Sequence, residues 1–562
     1  MYTSRVIRYH RGMRRLSPLA AAMSLLVLVS VSAAARGAGD DSLSLRAARF
    51  TRAVAASDRV LHAWLKAADP RTLLLPDRLF GPGDGRQAGN RVREYTPHNS
   101  GADLYPYLIL TADLTAPALL DGRLLQMLQS EVRYTTSTER GVPGALNLDT
   151  GAVGQPSLFG AGEYAKDGLI TVTEYLGRTP WYSRMVDMIA DAMEAGPVES
   201  RFGRLPANDS ELNGDYLQVL PRLALMTGDD RFLEWGRRIA DAYIEEVLPG
   251  SDGLPSGKWD FTTHTGDRVL RLRDHGNELV VGLVLQYTLE HYRKTSRAEK
   301  WRPVIGRMLD RILESANPDG MLYNVVSTAT LAPQSDRLSD NWGYVYGAMY
   351  TFYQVTGETK YRDAVIRVLT NLPKYRKYVW EPRNLPELPL GSFDGYADAI
   401  ESAIYLVNRE PVPQALDWIE SEMDVLLGMQ RQDGHFEYWY GEGNFNRTAL
   451  LYAFMQSQGA RPVVWRPGVG IGGERSGSGL RMLVKADAPL AVRFDYARHR
   501  RVMNLDRNYV RLNELPEWFV VNETALYDLT PVAGGPPLVR LGAELVTGVD
   551  LAPGEWLVQP RP

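Results

Sequence analysis

One phrase recurs through the middle of the chain and restricts its fold more than any other feature: a short polar turn followed by an amphipathic helix. It reads LGRTPWYSRMVDMIADAM from residue 176, MTGDDRFLEWGRRIADAY from 226, KTSRAEKWRPVIGRMLDRIL from 294, VTGETKYRDAVIRVL from 355 and, more loosely, NREPVPQALDWIESEMDVLL from 408. Recurrence every ~50–70 residues marks stacked supersecondary units, none of which can bury its apolar face alone. Before each turn lies a second helix, richer in small and apolar residues, at 167–176, 213–226, 275–292, 342–355 and 396–407. Apolarity all round implies burial on both sides, whereas the helix after the turn keeps one polar face. Alternation of the two kinds predicts an inner and an outer ring of helices, an (α/α) toroid over residues 44–460.

Counting 100–114 and 116–132 as another hairpin gives six. A seventh would pair Arg447–Met455 with the early helix 45–65, and the periodicity leaves six or seven open. Inner-to-outer turns are a few residues long. The returning loops 134–161, 247–273, 317–339 and 372–393 are long and rich in Gly, Pro, Asp and aromatics, the kind of loop that carries function. Since all inner helices run the same way, these loops and the inner N-termini collect on one face. Beyond Gln458 the pattern changes to β-branched alternation with Gly-Pro turns, which predicts a C-terminal β-sandwich over 461–562.

Residues 1–35 read as a signal peptide, with Arg5, Arg8, Arg11, Arg14 and Arg15 before an apolar run from Leu19 to Val31 and the small residues Ala33-Ala34-Ala35. Secretion or a periplasmic location is the expectation, and an uncleaved N-terminal anchor the alternative. The chain has no cysteine, so disulfides and thiolate metal sites are excluded. A net charge of −4 and the lack of a basic stripe beyond the leader give no footprint for nucleic acid.

The inner helices share an unusual beginning: Glu163-Tyr164-Ala165-Lys166-Asp167, Glu211-Leu212-Asn213-Gly214-Asp215, Asp274-His275-Gly276-Asn277-Glu278, Asp340-Asn341-Trp342 and Asp394-Gly395-Tyr396-Ala397-Asp398. Four of the five place acids at i and i+4, on one helix face. The first acid suits a helix cap, where a carboxylate accepts orphan N–H groups, and Asp274, Asp340 and Asp394 are candidates for that plain role. The second acid lies a turn further in, where a buried carboxylate is costly unless paired or used. Glu278, Asp215, Asp340, Asp398 and His275 are therefore the catalytic candidates. Glu163, Asp167, Glu211, Asn213, Arg273, Asn277, Asn341, Trp342, Tyr344, Asp394, Tyr396, His98, His435 and Trp439 are the binding candidates. Aromatics beside carboxylates, amides and arginines are what sugar rings need, since their faces stack and their hydroxyls take bidentate polar contacts.

No histidine pair has HExxH spacing, and no P-loop or GxSxG elbow is present, so neither metalloprotease, nucleotide nor serine-hydrolase chemistry is indicated. No cofactor is expected, and a structural calcium ion is left open.

The TGDxxF and TGETKY turns, the acid-headed inner helices and the order of the two parts together resemble the six-hairpin glycosidase-like superfamily and the toroidal polysaccharide lyases. The resemblance spans nearly all of the chain after the leader. It implies a carbohydrate-active enzyme acting on an oligo- or polysaccharide, first of all a glycoside hydrolase with a carboxylate pair, Glu278 and Asp215 ahead of Asp340 or Asp398. A lyase on uronic-acid glycans, using Arg273, His275 and Tyr344, is the second expectation. A glycan-binding protein without turnover is the third.

Overall fold

The computed structural model describes residues 18–79, 93–136, 141–273, 278–383 and 388–561, with side chains from residue 42 onward. Of the candidates above, Asp274, His275 and Asn277 lie outside the described residues, as does the basic start of the leader. The rest of the leader lies in the backbone of the helix Pro18–Ala67. Among the described residues no helix is long and apolar enough to cross a membrane.

The chain is mainly helical. Among the described residues seven inner helical segments follow one another in space as in sequence: 97–115, 158–176, Ser210–Thr227, Glu278–Tyr292, Trp342–Thr356, Phe393–Val407 and Glu442–Ser457. The last closes on the first, where Asn446 Nδ2 donates to Thr111 Oγ1 at 2.9 Å. Its outer mate is the long first helix, whose Trp64 Nε1 donates to Glu442 Oε2 at 2.7 Å. The other outer helices are Leu125–Thr135, Pro180–Ala195, Asp230–Ala242, Ser296–Glu314, Thr359–Asn371 and Pro413–Gly428.

The recurrent TG turn has a simple local cause. Gly228 and Gly357 close the inner helices at φ 72° and 78°, a left-handed conformation that glycine adopts without steric cost. The residue after Gly228 starts the outer helix, the Asp229 side chain accepting from the Arg231 N–H, as an N-cap should. The outer helix Asp230–Ala242 then buries one stripe, Phe232, Trp235, Gly236, Ile239 and Ala240, whereas Glu278–Tyr292 is buried along almost its whole length. Glycines set the close spacing of the inner ring. A Cβ on Gly214 would strike the Leu279 backbone nitrogen, and one on Gly443 the Asp103 carbonyl.

From Arg461 onward the strands form two antiparallel sheets. One orders 538–541, 526–531, 554–560, 479–485 and 470–476; the other orders 549–551, 490–493 and 461–462. The strand 470–476 lies on the first helix, where Gly470 and Gly472 leave no room for a Cβ against the Ala47 and Leu43 carbonyls. Between these strands, the segment 502–521 leaves the sheets and enters the ring from the C-terminal ends of the inner helices. Asn504 Nδ2 donates to the Leu225 carbonyl at 2.9 Å, Arg507 to that of Gln354 at 3.0 Å, and Thr351 Oγ1 to that of Val510 at 3.0 Å.

Candidate active site

The N-terminal ends of the inner helices meet at a cleft of about 290 Å³. Its walls include Asp103, Glu163, Lys166, Asp167 and Glu278 on one side, and Asn341, Tyr344, Asp394, Asp398, Asn444 and Arg447 on the other. Arg78, Arg273, Glu381, Arg383, Trp439 and Tyr440 come from loops at its mouth. Six inner helices thus contribute directly. Two of them contain wide π turns, Pro97–Leu104 at the start of one and Tyr164–Leu169 after the first turn of the other, a geometry that recurs at functional sites; these turns carry Asp103 and the pair Lys166-Asp167.

Lys166 is the centre of one side. Its Nζ lies 3.1 Å from Glu163 Oε1, 3.0 Å from Asp167 Oδ2, 3.4 Å from Asp215 Oδ1 and 3.1 Å from Glu278 Oε1. All five groups are buried. One ammonium cannot neutralise four carboxylates in a low-dielectric interior, so the cluster must retain protons. Burial and the nearby Glu163 and Glu278 push Asp215 well above the ordinary carboxylate range, Lys166 opposing. Asp167 goes the other way. Burial alone would raise it, but the Lys166 charge, a hydrogen bond with Glu163 and Arg447 outweigh that and hold it below the usual value. Burial would likewise neutralise Lys166, yet Asp167, Glu163, Glu278 and Asp215 together keep it firmly charged.

Across the cleft Arg447 plays the corresponding part. Its guanidinium contacts Asp398 at 2.6 Å and also pairs with Glu401, and it lies over the Tyr107 ring. Burial lifts Glu401 to about 7, with Arg447 and the hydroxyl of Tyr344 pulling down and Asp167 pushing up. Tyr344 donates to Glu401 at 3.3 Å, and burial among acids keeps its phenol well above its ordinary pKa, Arg447 notwithstanding. Asn444 Nδ2 donates to Asp394 at 2.9 Å. Asp103 is the remaining acid of the cleft walls, inside the mouth where Glu381 sits. Burial, then Asp167, Glu163 and Asp394, push it well above the usual range against the pull of Arg447.

At the mouth, Arg273 and Arg383 share Glu381, at 3.4 and 2.8 Å. Arg273 also faces Asp340 at 3.6 Å, and the Arg383 guanidinium lies 5.8 Å from the centre of the Trp439 ring.

Of the sequence candidates, Glu163, Asp167, Arg273, Glu278, Asn341, Tyr344, Asp394, Asp398 and Trp439 line the cleft. Asp215 lies behind Lys166 with 0% exposure, out of a substrate's reach. Asp340 is buried next to Arg273 and accepts from the Asn341 N–H at 3.1 Å; it stands outside the helix Trp342–Thr356, so it is not that helix's cap. Asp394 is not a cap either. Ser392 takes that place, accepting from the Asp394 N–H.

Six other candidates stand off the cleft, most of them in packing or loop support. The Asn213 amide donates to the Ala207 and Asp209 carbonyls at 2.8 and 2.9 Å and pins the loop before its helix. Trp342 is fully buried and meets Tyr346 edge-on. The Tyr396 hydroxyl is turned toward Glu422 on the outer helix, whose charge adds to burial in holding its phenol above the ordinary value. The His435 Nδ1 lies 2.9 Å from Glu442, whose other oxygen accepts the N–H groups of Phe436, Glu437 and Tyr438 and so fixes the loop that carries Trp439. His98 packs on Phe159, and Glu211 is off the cleft, one residue into its helix.

Asp103, Asn444 and Arg447 line the cleft and Glu401 pairs with Arg447, and none of the four is among the candidates the sequence suggests. Asp103 was within reach of the same rule, an acid ahead of the apolar run LYPYLIL. Among the described residues no cluster of His, Asp and Glu is arranged to hold a metal ion. The position between the four carboxylates is filled by the Lys166 ammonium.

No family model and no curated protein matches this chain. Among solved structures it is similar to the unsaturated glucuronyl hydrolase of Bacillus sp. GL1, with 10% identity over 53% of this chain and 86% of that one and a TM-score of 0.38. It is similar also to a family 76 glycoside hydrolase from a bovine Bacteroides thetaiotaomicron strain, with 11% identity, 72% and 78% coverage and a TM-score of 0.40. A D-mannose isomerase gives 9% identity, 55% and 90% coverage and 0.40. At these scores the likeness says nothing about chemistry, which rests on the cleft itself.

Proposed function

We propose that the chain is an exported glycoside hydrolase built as a seven-hairpin (α/α) toroid, with the two C-terminal sheets as the layers of a sandwich. The observation that carries this reading is a pair of carboxyls lining one cleft in opposed surroundings: Asp167 beside Lys166 and held down by that charge, Asp103 enclosed among Asp167, Glu163 and Asp394 and pushed up. Groups driven apart in this way suit the two halves of acid–base work. Asp103 keeps its proton near neutral pH and gives it to the leaving glycosidic oxygen. Asp167, ionised, acts as base toward water or as nucleophile toward the anomeric carbon. Glu278 and Asp215, the pair expected from the sequence, become the acids that share Lys166 and set the charge of Asp167. Trp439 and Tyr440 offer ring faces to sugars, while Asn341, Asn444 and Asp394 offer hydroxyl partners.

A lyase acting on uronic-acid glycans is the second reading, favoured by Arg78, Arg273 and Arg383 at the mouth, which suit a substrate carboxylate. It needs a base, and Tyr344 is held in its neutral form.

The experiment is a screen of the purified protein and of Asp103→Asn and Asp167→Asn on neutral and uronate glycans, read as reducing ends and as ultraviolet absorbance of unsaturated products. Reducing ends without absorbance, lost in both variants, are expected. Absorbing products retained in Asp167→Asn would replace the hydrolase reading with the lyase one.

A further inference from the structure

Asn513 lies at the tip of the 502–521 segment, 1% exposed, far in sequence from every helix of the ring. It holds both ends of its amide against the cleft. Arg447 Nη1 donates to Asn513 Oδ1 at 2.9 Å, and Asn513 Nδ2 donates to Asp167 Oδ1 at 2.5 Å. The orientation is forced, because a guanidinium can only donate and therefore must face the amide oxygen. The NH2 end is then left for Asp167, and a donor at that distance requires Asp167 Oδ1 to be an acceptor, free of a proton. The backbone is held as well: the Asn513 carbonyl accepts from Thr171 Oγ1 at 2.8 Å. Its φ is 55°, a left-handed conformation that asparagine accepts more readily than most side chains.

We infer that Asn513 is a positioning residue of the active site, delivered through the C-terminal end of the ring by the strand-forming part of the chain, and that it fixes the orientation and the unprotonated oxygen of Asp167. This rests on the reading of Asp167 as the working base. It makes the C-terminal part of the chain a component of the site and not an appended module.

The groups around Asp167 come from several elements. Glu163 and Lys166 share its own helix. Asp103 and Tyr107 face it from 97–115, where the Tyr107 hydroxyl donates to the Asp167 carbonyl at 2.6 Å. Asp215 and Glu278 reach it through Lys166. Arg447, Glu401 and Tyr344 bear on it from across the cleft. Lys166 and Arg447 act as charges. Asn513 is the neutral donor that selects one oxygen.

The test uses the full chain with 13C-labelled aspartate carboxyls, the Asp167 signal being the one lost in Asp167→Asn. In the wild type it should titrate below the ordinary aspartate value of about 4, and the Asn513 side-chain amide protons should shift at the same midpoint. Asn513→Gly suits the positive φ and removes the donor; the midpoint should rise by about one pH unit. Asn513→Asp adds a like charge and should raise it further. The acid limb of kcat/KM on 4-nitrophenyl glycosides should move up with it.

An unmoved midpoint in a folded Asn513→Gly overturns the inference, as does a wild-type amide that ignores the Asp167 titration, a result that stands even if neither variant folds. If the wild type cleaves no glycoside or glycan while the midpoint moves as stated, the hydrolase reading falls and the hydrogen bond stands.

Discussion

Two buried charge clusters occupy opposite ends of the ring, and they are balanced differently. At the C-terminal end Arg511 pairs with Glu174 and, at 3.1 Å, with Glu514; Arg409 pairs with Glu514 at 3.0 Å, and Arg498 with Asp495 at 2.9 Å. Each acid there has a guanidinium. At the other end a single ammonium serves four carboxylates, and Arg447 serves two more. The balanced cluster fastens the 502–521 segment into the ring. The unbalanced one must carry protons in the folded state, and a store of protons beside an ionised carboxylate is what acid–base chemistry requires.

Glu174 shows the contrast on one side. Burial would raise it, but Arg511, Arg498 and Arg222 overcome burial and depress it. Asp215 and Asp103, equally enclosed but short of cations, move upward.

The largest effect that separates the two ends should be on rate. Asp167→Asn is expected to cost about 10²–10⁴ in kcat on glycans, with circular dichroism unchanged. Asp103→Asn should cost a similar factor on poor leaving groups and much less on activated aryl glycosides, where protonation matters little. Next comes stability at the balanced end. Arg511→Met leaves Glu174 and Glu514 without their shared partner and should cost about 3–5 kcal/mol in denaturant unfolding, while the limbs of the pH–rate profile stay in place.

Acid should act on Glu174 and Asp215 with opposite sign. Glu174, depressed on folding, contributes stability that is present above its unfolded pKa near 4.5 and is lost as pH falls through the lower folded value. Asp215, raised on folding, costs stability once pH exceeds about 4, because the unfolded chain ionises there and the folded chain resists. Asp215→Asn should therefore raise the melting temperature at pH 7 by roughly 1–3 °C, a gain that fades as pH is lowered towards 4. The smallest effect is expected for Tyr344→Phe, which removes one hydrogen bond to Glu401 and should stay within about tenfold in kcat. Loss of all turnover in that variant would favour the eliminating reaction.

The ring was legible in the sequence because its cause is local. The glycine of the TG turn closes one helix, an acid follows it at the start of the next, Asp229 after Gly228 and Glu358 after Gly357, and the apolar stripe repeats with them. The acid-headed helix starts were legible for the same reason, and they lead to the cleft. What could not be read was which way each polar side chain turns. Asn213 and Tyr396 sit at inner-helix starts like those that carry Asp167 and Asp398, yet they point to loop carbonyls and to an outer helix, because only tertiary packing decides the face. Asn513 carried no local signal at all. Its importance comes from a segment that leaves one part of the chain and threads another, about 350 residues away from Asp167 in sequence, a placement no periodicity encodes.

The central claim is that Asp103 holds a proton while Asp167 does not, in the same cleft at the same pH. Neutron diffraction from a deuterium-exchanged crystal near pH 7 reads both at once. The account predicts a deuteron on the Asp103 carboxyl, none on either oxygen of Asp167, and the Asn513 amide deuterons directed at Asp167 Oδ1. A deuteron on Asp167 with a bare Asp103 would contradict it.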